Sequence, residues 1–178
     1  MQALSTTDKI LNACDALFYV KGLQAVSVDQ VAEAAGLTKR TLYYHFKSKD
    51  LLIEAWLRRR AEAARTETLA IPGSAMERLR TAFARMAPQV VHPAYRGCPF
   101  VNALAELADP THPAAAVAKV YKADRLAWFA AIAEELGKPE THAEILMTLW
   151  EGALARAVIT RSPDSVKAAV AAAELILA

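Results

Sequence analysis

The stretch from Val26 to Lys49, VSVDQVAEAAGLTKRTLYYHFKSK, constrains the fold more tightly than any other part of the chain. Ser27 followed three residues later by Gln30 has the form of a capping box, and Val26 and Val31 stand at the staple positions on either side of the cap. A helix is therefore predicted to begin at Val28. Gly36 ends it, because a glycine can take the left-handed conformation that closes a helix. Thr38 is placed to cap a second helix through Lys39, Arg40, Thr41, Leu42, Tyr43 and Tyr44. Two short helices joined by a glycine turn form a helix-turn-helix.

The second helix carries the chemistry. Val28, Val31, Ala32 and Ala35 line one face of the first helix, and Leu42 and Phe46 can close onto it, which turns Lys39, Arg40, Thr41, Tyr43 and Tyr44 outward. Such a face suits a DNA major groove. Lys and Arg donate to guanine O6 and N7, Thr offers a methyl or a hydroxyl to base edges, and tyrosine hydroxyls anchor phosphates. His45 and Lys49 extend a phosphate-binding rim. The same spacing also fits a helical pair in an all-α core with a solvated charged face.

GLTKRTLYYHFKSKDLL, with SVDQVAEAA before it and an amphipathic helix ahead of that, resembles the N-terminal DNA-binding domain of the tetracycline-repressor (TetR) family of transcriptional regulators. The likeness covers about the first third of the chain. It implies base readers at Lys39, Arg40 and Thr41, and phosphate contacts from Ser27, Tyr43, Tyr44, His45 and Lys49. It further implies an all-α fold: a three-helix helix-turn-helix domain over residues 1–49, then a helical effector-binding and dimerisation domain over 50–178, linked by a helix from 48. Family members vary most at the positions of Thr38, Lys39 and Arg40, so no operator sequence carries over.

Composition sets the outer limits. The chain has 178 residues and 54% apolar content, enough to bury a substantial core. A net charge of +2 says little about a nucleic-acid partner. Its distribution says more, since residues 36–65 hold eight Lys and Arg against three Asp and Glu, a local excess larger than that of the whole chain. The two cysteines, Cys14 and Cys98, have no metal-ligand spacing, which argues against a zinc site or a disulfide framework and for a reduced cytoplasmic setting; no cofactor is expected. No signal-peptide pattern and no membrane-spanning apolar run is read, so no membrane partner is expected.

A first helix is predicted from Thr6 or Thr7 to Gly22, with Ile10, Leu11, Cys14, Leu17 and Phe18 on its core face. Ser48 caps a helix running to about Leu69, on which Arg58, Arg59 and Arg60 read as a solvated face. Ser74 with Glu77 forms a second capping box. Pro88, Pro93, Gly97, Pro99, Pro110 and Pro113 then punctuate an irregular region around the short run FVNALAEL. Longer helices follow: one from about Pro113 to Leu136, expected to lie centrally, one from near Pro139 to Ser162, and a last one to the C-terminus.

The run RGCPFVNALAEL resembles a segment beside the inducer cavity in one branch of TetR-like C-terminal domains. Cys98, Asn102 and Glu106 are polar groups among apolar neighbours there, and Met86, Tyr95, Phe100, Trp128, Phe129, Met147 and Trp150 are candidates for the cavity wall. Each of these wall candidates fits a plain core role as well, and Asn102 and Glu106 equally fit a role in satisfying backbone groups around Pro99 and Pro110. The last two helices carry few charges, and the resemblance implies that such a pair packs on a two-fold mate. Leu146, Leu149, Ala153, Ala157, Val166, Ala169, Val170, Ala173 and Leu177 are the expected homodimer residues.

The expectation is a repressor, not an enzyme, that binds a near-palindromic double-stranded operator as a dimer and is released by a small, mostly apolar effector. Four scattered histidines and the absence of HExxH, GxSxG, Walker and dinucleotide fingerprints argue against an all-α enzyme. A redox regulator switching through Cys98 is the other alternative. Effector, operator, regulated genes, the sign of regulation and the redox activity of Cys98 are not legible in the sequence.

Overall fold

Side-chain caps open the helices where the local sequence places them. The computed structural model describes residues 4–178, so the first three positions of the expected 1–49 segment lie outside it. Ser5 caps α1 (Thr6–Lys21), accepting the Asp8 N–H at 3.0 Å. Ser27 opens α2 (Val28–Ala34) with both arms of a capping box: its hydroxyl accepts from Gln30 N–H, and its own N–H donates to Gln30 Oε1 at 2.8 Å. Thr38 opens α3 (Lys39–His45) by accepting the Thr41 N–H at 3.1 Å. Between them Gly36 holds φ +67°, the left-handed turn that makes the pair a helix-turn-helix.

Ser48 caps α4 (Lys49–Leu69) through the Leu51 N–H, and the Ser74–Glu77 box opens α5 (Ala75–Ala84). A four-residue helix, α6 (Ala87–Val90), follows inside the region expected to be irregular. Pro88 stands in its first turn, where a missing N–H is no loss, so this proline starts a helix instead of breaking one. Then come α7 (Pro99–Leu107), α8 (Pro113–Glu135), α9 (Thr141–Thr160) and α10 (Asp164–Leu177). Among the described residues there is no strand, and no helix is long and apolar enough to cross a membrane. The all-α expectation holds.

By contact the chain forms two units. The first takes the residues up to Glu62 together with Pro99–Lys119; the second takes Ala63–Cys98 and Val120–Ala178. The division falls inside α4, later than position 49, and inside α8. In the first unit Ile10, Cys14, Val26, Val31, Leu42, Leu52 and Leu57 are buried, and Phe18 meets the edge of Trp56 at 5.6 Å between centroids. Burial, and secondarily Asp15, pushes the Cys14 thiol up to about 12, as suits an inert apolar side chain.

The second unit is built on an aromatic centre. Phe83, Phe129 and Trp150 are mutual neighbours, with centroid separations of 6.4, 5.1 and 5.9 Å, and Ile71, Leu79, Met86, Val90, Tyr95, Ile132 and Leu146 close around them. Each such side chain contributes about 1.5–3 kcal/mol by burial, and each aromatic pair about 0.5–1.5 kcal/mol more. α8 is only partly central: Phe129 and Ile132 are fully buried, while Val120 is largely exposed.

Candidate DNA interface and core cavity

α3 presents the surface that its sequence promises. Leu42 is fully buried and fastens the helix, leaving Lys39, Arg40, Tyr43, Tyr44 and His45 exposed; Thr41 is half-buried, and Ser27 is exposed at the start of α2. Several of these groups already have partners. Lys39 Nζ donates to Asp29 at 3.0 Å, and this hydrogen bond, with the Asp29 charge, holds the ammonium above the usual lysine range. It must leave Asp29 to reach a base. The Thr41 hydroxyl lies 2.8 Å from that of Thr38, and the His45 ring is 3.4 Å from the Thr7 hydroxyl. Lys49 is half-buried, and burial pulls its ammonium below the lysine range. Lys47, which the sequence reading left out, is exposed with Nζ 5.7 Å from the Tyr44 ring centroid, on the expected phosphate rim.

Charged side chains brace this head from behind. Asp15 on α1 accepts from Trp56 Nε1 at 2.7 Å, from Arg60 Nε at 2.9 Å and from Arg59, while Arg58 pairs with Glu54. Two of the three successive arginines thus tie α4 to α1, so a solvated face describes only Arg58. The Glu106 carboxylate of α7 accepts the N–H groups of Leu23 at 2.6 Å and Gln24 at 3.3 Å, capping the α1–α2 connection. Gly22 there has φ +93°, a backbone conformation that favours glycine, and a Cβ on it would stand 2.9 Å from Glu106 Oε2.

The residues expected around an effector are distributed differently. Phe100, Asn102 and Glu106 belong to the first unit, whereas Met86, Tyr95, Cys98, Trp128, Phe129, Met147 and Trp150 belong to the second. Met86, Tyr95, Phe129 and Trp150 are buried in the core cluster, and Trp128 and Met147 pack against it in part. The second unit also holds a cavity of about 300 Å³, at the small end of ligand sites. Its wall comes from two helices: Arg65, Thr68 and Leu69 of α4, and Tyr121, Asp124, Arg125, Ala127, Trp128 and Ala131 of α8. Of the expected residues only Trp128 lines it. Arg125, which no local motif in the sequence marks, is 7% exposed and stacked among rings.

α9 and α10 pack on each other within the chain. Leu146, Ala153, Ala157, Val166, Ala169, Ala173 and Leu177 are buried in that packing, and Leu149 and Val170 partly so. The same pair borders an open groove lined by Leu149, Gly152, Ala153, Arg156, Ala168, Ala169 and Ala172, among others. Ile145, Ile159 and Leu175 are exposed on the same two helices.

Cys98 is 9% exposed, and its sulfur accepts from Lys122 Nζ at 3.2 Å; Lys122 also binds Glu151. Burial pulls the Lys122 ammonium down, but Cys98 and Glu151 outweigh it and hold the group above the lysine range. The polar neighbour of the thiol is thus a lysine, while His92 accepts the Ala94 N–H. Among the described residues no cluster of His, Cys, Asp and Glu could hold a metal ion.

A family model described as bacterial regulatory proteins, tetR family, matches residues 10–56, which cover α1 to the middle of α4. The HTH-type transcriptional repressor KstR2 of Mycolicibacterium smegmatis is 39% identical over 57 residues, 32% of this chain and 28% of that protein. The transposon Tn10 TetC protein of Escherichia coli is 43% identical over 51 residues, 29% of this chain and 26% of that protein. The match therefore spans about a quarter of these curated relatives. Solved structures extend the likeness to nearly the whole chain. A TetR transcriptional regulator of Streptomyces avermitilis superposes with a TM-score of 0.81 at 33% identity, covering 96% of this chain and 99% of that one. A TetR-family regulator of Streptomyces coelicolor, SCO4454, superposes with a TM-score of 0.86 at 26% identity, covering 97% and 94%.

Proposed function

We propose, starting from a chain that belongs to the TetR family of transcriptional regulators, that it is a cytoplasmic homodimeric repressor released from a near-palindromic operator by a small effector. It is a DNA-binding regulator and not an enzyme. Lys39, Arg40 and Thr41 read base edges, with Ser27, Tyr43, Tyr44, His45 and Lys47 on phosphates and Lys49 at the margin. Residues 1–49 act as the DNA-binding domain and 50–178 as the effector and dimer domain. The outward face of α9 and α10, with Leu149, Gly152, Ala168 and Ala172, meets its two-fold copy.

The observation that carries the effector step is the makeup of the cavity wall. α4 and α8 supply all of it, and these are the two helices that run from one unit into the other. A molecule seated between them favours one spacing of the two helices over another, and α4 continues from Arg65 back to the recognition head. Linkage then fixes the test. A compound that weakens operator binding by some factor must itself bind the operator complex more weakly by the same factor. Calorimetric titration of free and operator-bound protein measures both; an effector with equal affinity for the two states would exclude release through this cavity.

The Lys122–Cys98 hydrogen bond favours a second reading, a redox switch at Cys98. A peroxide oxidises such a thiol to sulfenic acid by transfer of one oxygen, releasing water. Peroxide-sensitive operator binding that disappears in Cys98→Ser supports this switch; unchanged sensitivity removes it.

A further inference from the structure

A guanidinium has five N–H donors and keeps its charge at any physiological pH, so burying it without acceptors is costly. Arg125 is in that position. It is 7% exposed, and its Nε and Nη1 are closed off from solvent with no hydrogen-bond partner. What surrounds the charge is aromatic: the Trp150 ring centroid lies 4.6 Å from Cζ, Trp128 5.6 Å and Tyr121 6.0 Å. Ring faces offset part of the lost hydration of the cation, but they offer its N–H groups no oxygen to bind. The side chain borders the cavity between α4 and α8, and the cavity is the space from which an acceptor can arrive. Its other lining charges, Arg65 and Asp124, are both exposed and cancel. Thr68 already donates its hydroxyl to the Ala64 carbonyl. Leu69, Ala127, Trp128 and Ala131 make the remaining wall apolar or aromatic.

We infer that this cavity takes a small monocarboxylate with an apolar or aromatic body, whose carboxylate is bound by the Arg125 guanidinium within its cage of rings. The inference rests on the effector cavity proposed above and names the chemistry of its ligand. A carboxylate supplies the oxygen acceptors that the rings lack, and charge-assisted pairing with arginine is the stronger class of hydrogen bond. The mostly apolar wall of this partly open cavity accommodates the rest of the molecule.

The test uses 4-phenylbutyrate and octanoate, ionised at neutral pH, against 4-phenylbutyramide and octanamide, which keep the shape and lose the charge. Trp128 and Trp150 flank the guanidinium, so quenching of tryptophan emission reports binding directly. At least one acid is expected to bind about tenfold or more tighter than its amide. In Arg125→Met that preference disappears. The substitution replaces a buried unpaired charge with an apolar chain and is expected to leave the ligand-free melting temperature unchanged or raised. Arg125→Lys, which retains charge without the fork, is expected to keep only part of the preference. Equal binding of acid and amide, binding of neither, or a preference that survives Arg125→Met overturns the inference. Carboxylate binding through Arg125 that leaves operator affinity untouched retains the anion site and removes the effector role. Release of operator by a neutral ligand, with no carboxylate bound, does the reverse.

Discussion

Glu106 accepts the backbone N–H of Leu23 at 2.6 Å, joining α7 to the connection between α1 and α2 across 83 residues of chain. The oxygen that takes this hydrogen bond also accepts from Gln24, and Gly22 leaves it room. Within the first unit α7 therefore holds the base of the DNA-reading head. Glu106→Ala strips an acceptor from partly buried N–H groups and is expected to cost about 1–3 kcal/mol of stability, measured by denaturant unfolding. Operator affinity should fall with it while effector affinity is kept. Loss of effector binding with normal stability would instead assign Glu106 to the effector.

Arg40 and Lys47 separate base reading from phosphate binding. Arg40 is exposed near the start of α3, and Arg40→Ala is expected to weaken specific binding by about 1–3 kcal/mol and relax preference at one operator position. Lys47→Ala should weaken all sequences alike and reduce the salt slope by about one charge. Fluorescence anisotropy over a salt series measures both. Two silent substitutions would mean that the face lies elsewhere.

Gly152 sits inside α9, where glycine costs about 1 kcal/mol relative to alanine, yet a Cβ there meets nothing in the chain within 4 Å. In the proposed dimer this open surface is where a second copy packs closely. Gly152→Arg and Leu149→Asp should each give folded monomers by analytical sedimentation, and operator affinity should fall with dimerisation. Persisting dimers would move the interface off this groove.

Trp150 touches both Phe83 and Phe129 and stacks on Arg125, so it is a structural residue as well as a wall of the arginine cage. Trp150→Ala is expected to cost about 3–5 kcal/mol by cavity formation, read from chemical denaturation. A loss below about 1 kcal/mol would show that the aromatic centre is loosely packed.

What the sequence discloses is what short-range chemistry encodes. The Ser27–Gln30 and Ser74–Glu77 boxes, the Thr38 cap and the Gly36 turn each need only neighbours within a few residues, and all are present in the structure. The head surface follows, because Leu42 fixes which side of α3 is inward. Long-range partners leave no such local mark. Glu106 fits either a ligand role or backbone groups near Pro99 and Pro110 because Leu23 is remote in the chain, and nothing local singles out Arg125 because Trp150 reaches it from another helix. The alanine stripes of α9 and α10 were legible as contact surfaces, but periodicity alone does not say whether a stripe faces its own chain or a copy. Ala157 and Ala173 are buried within their own chain, while Ala153 and Ala169 pack there and also border the open groove.

Sequence-specific recognition of DNA by a dimer is tested by selecting bound duplexes from a random DNA pool at near-physiological salt. The recovered sequences are expected to share a near-palindrome whose half-sites are spaced by about one or more helical turns. Recovery of sequence-blind, salt-sensitive binding alone would contradict it.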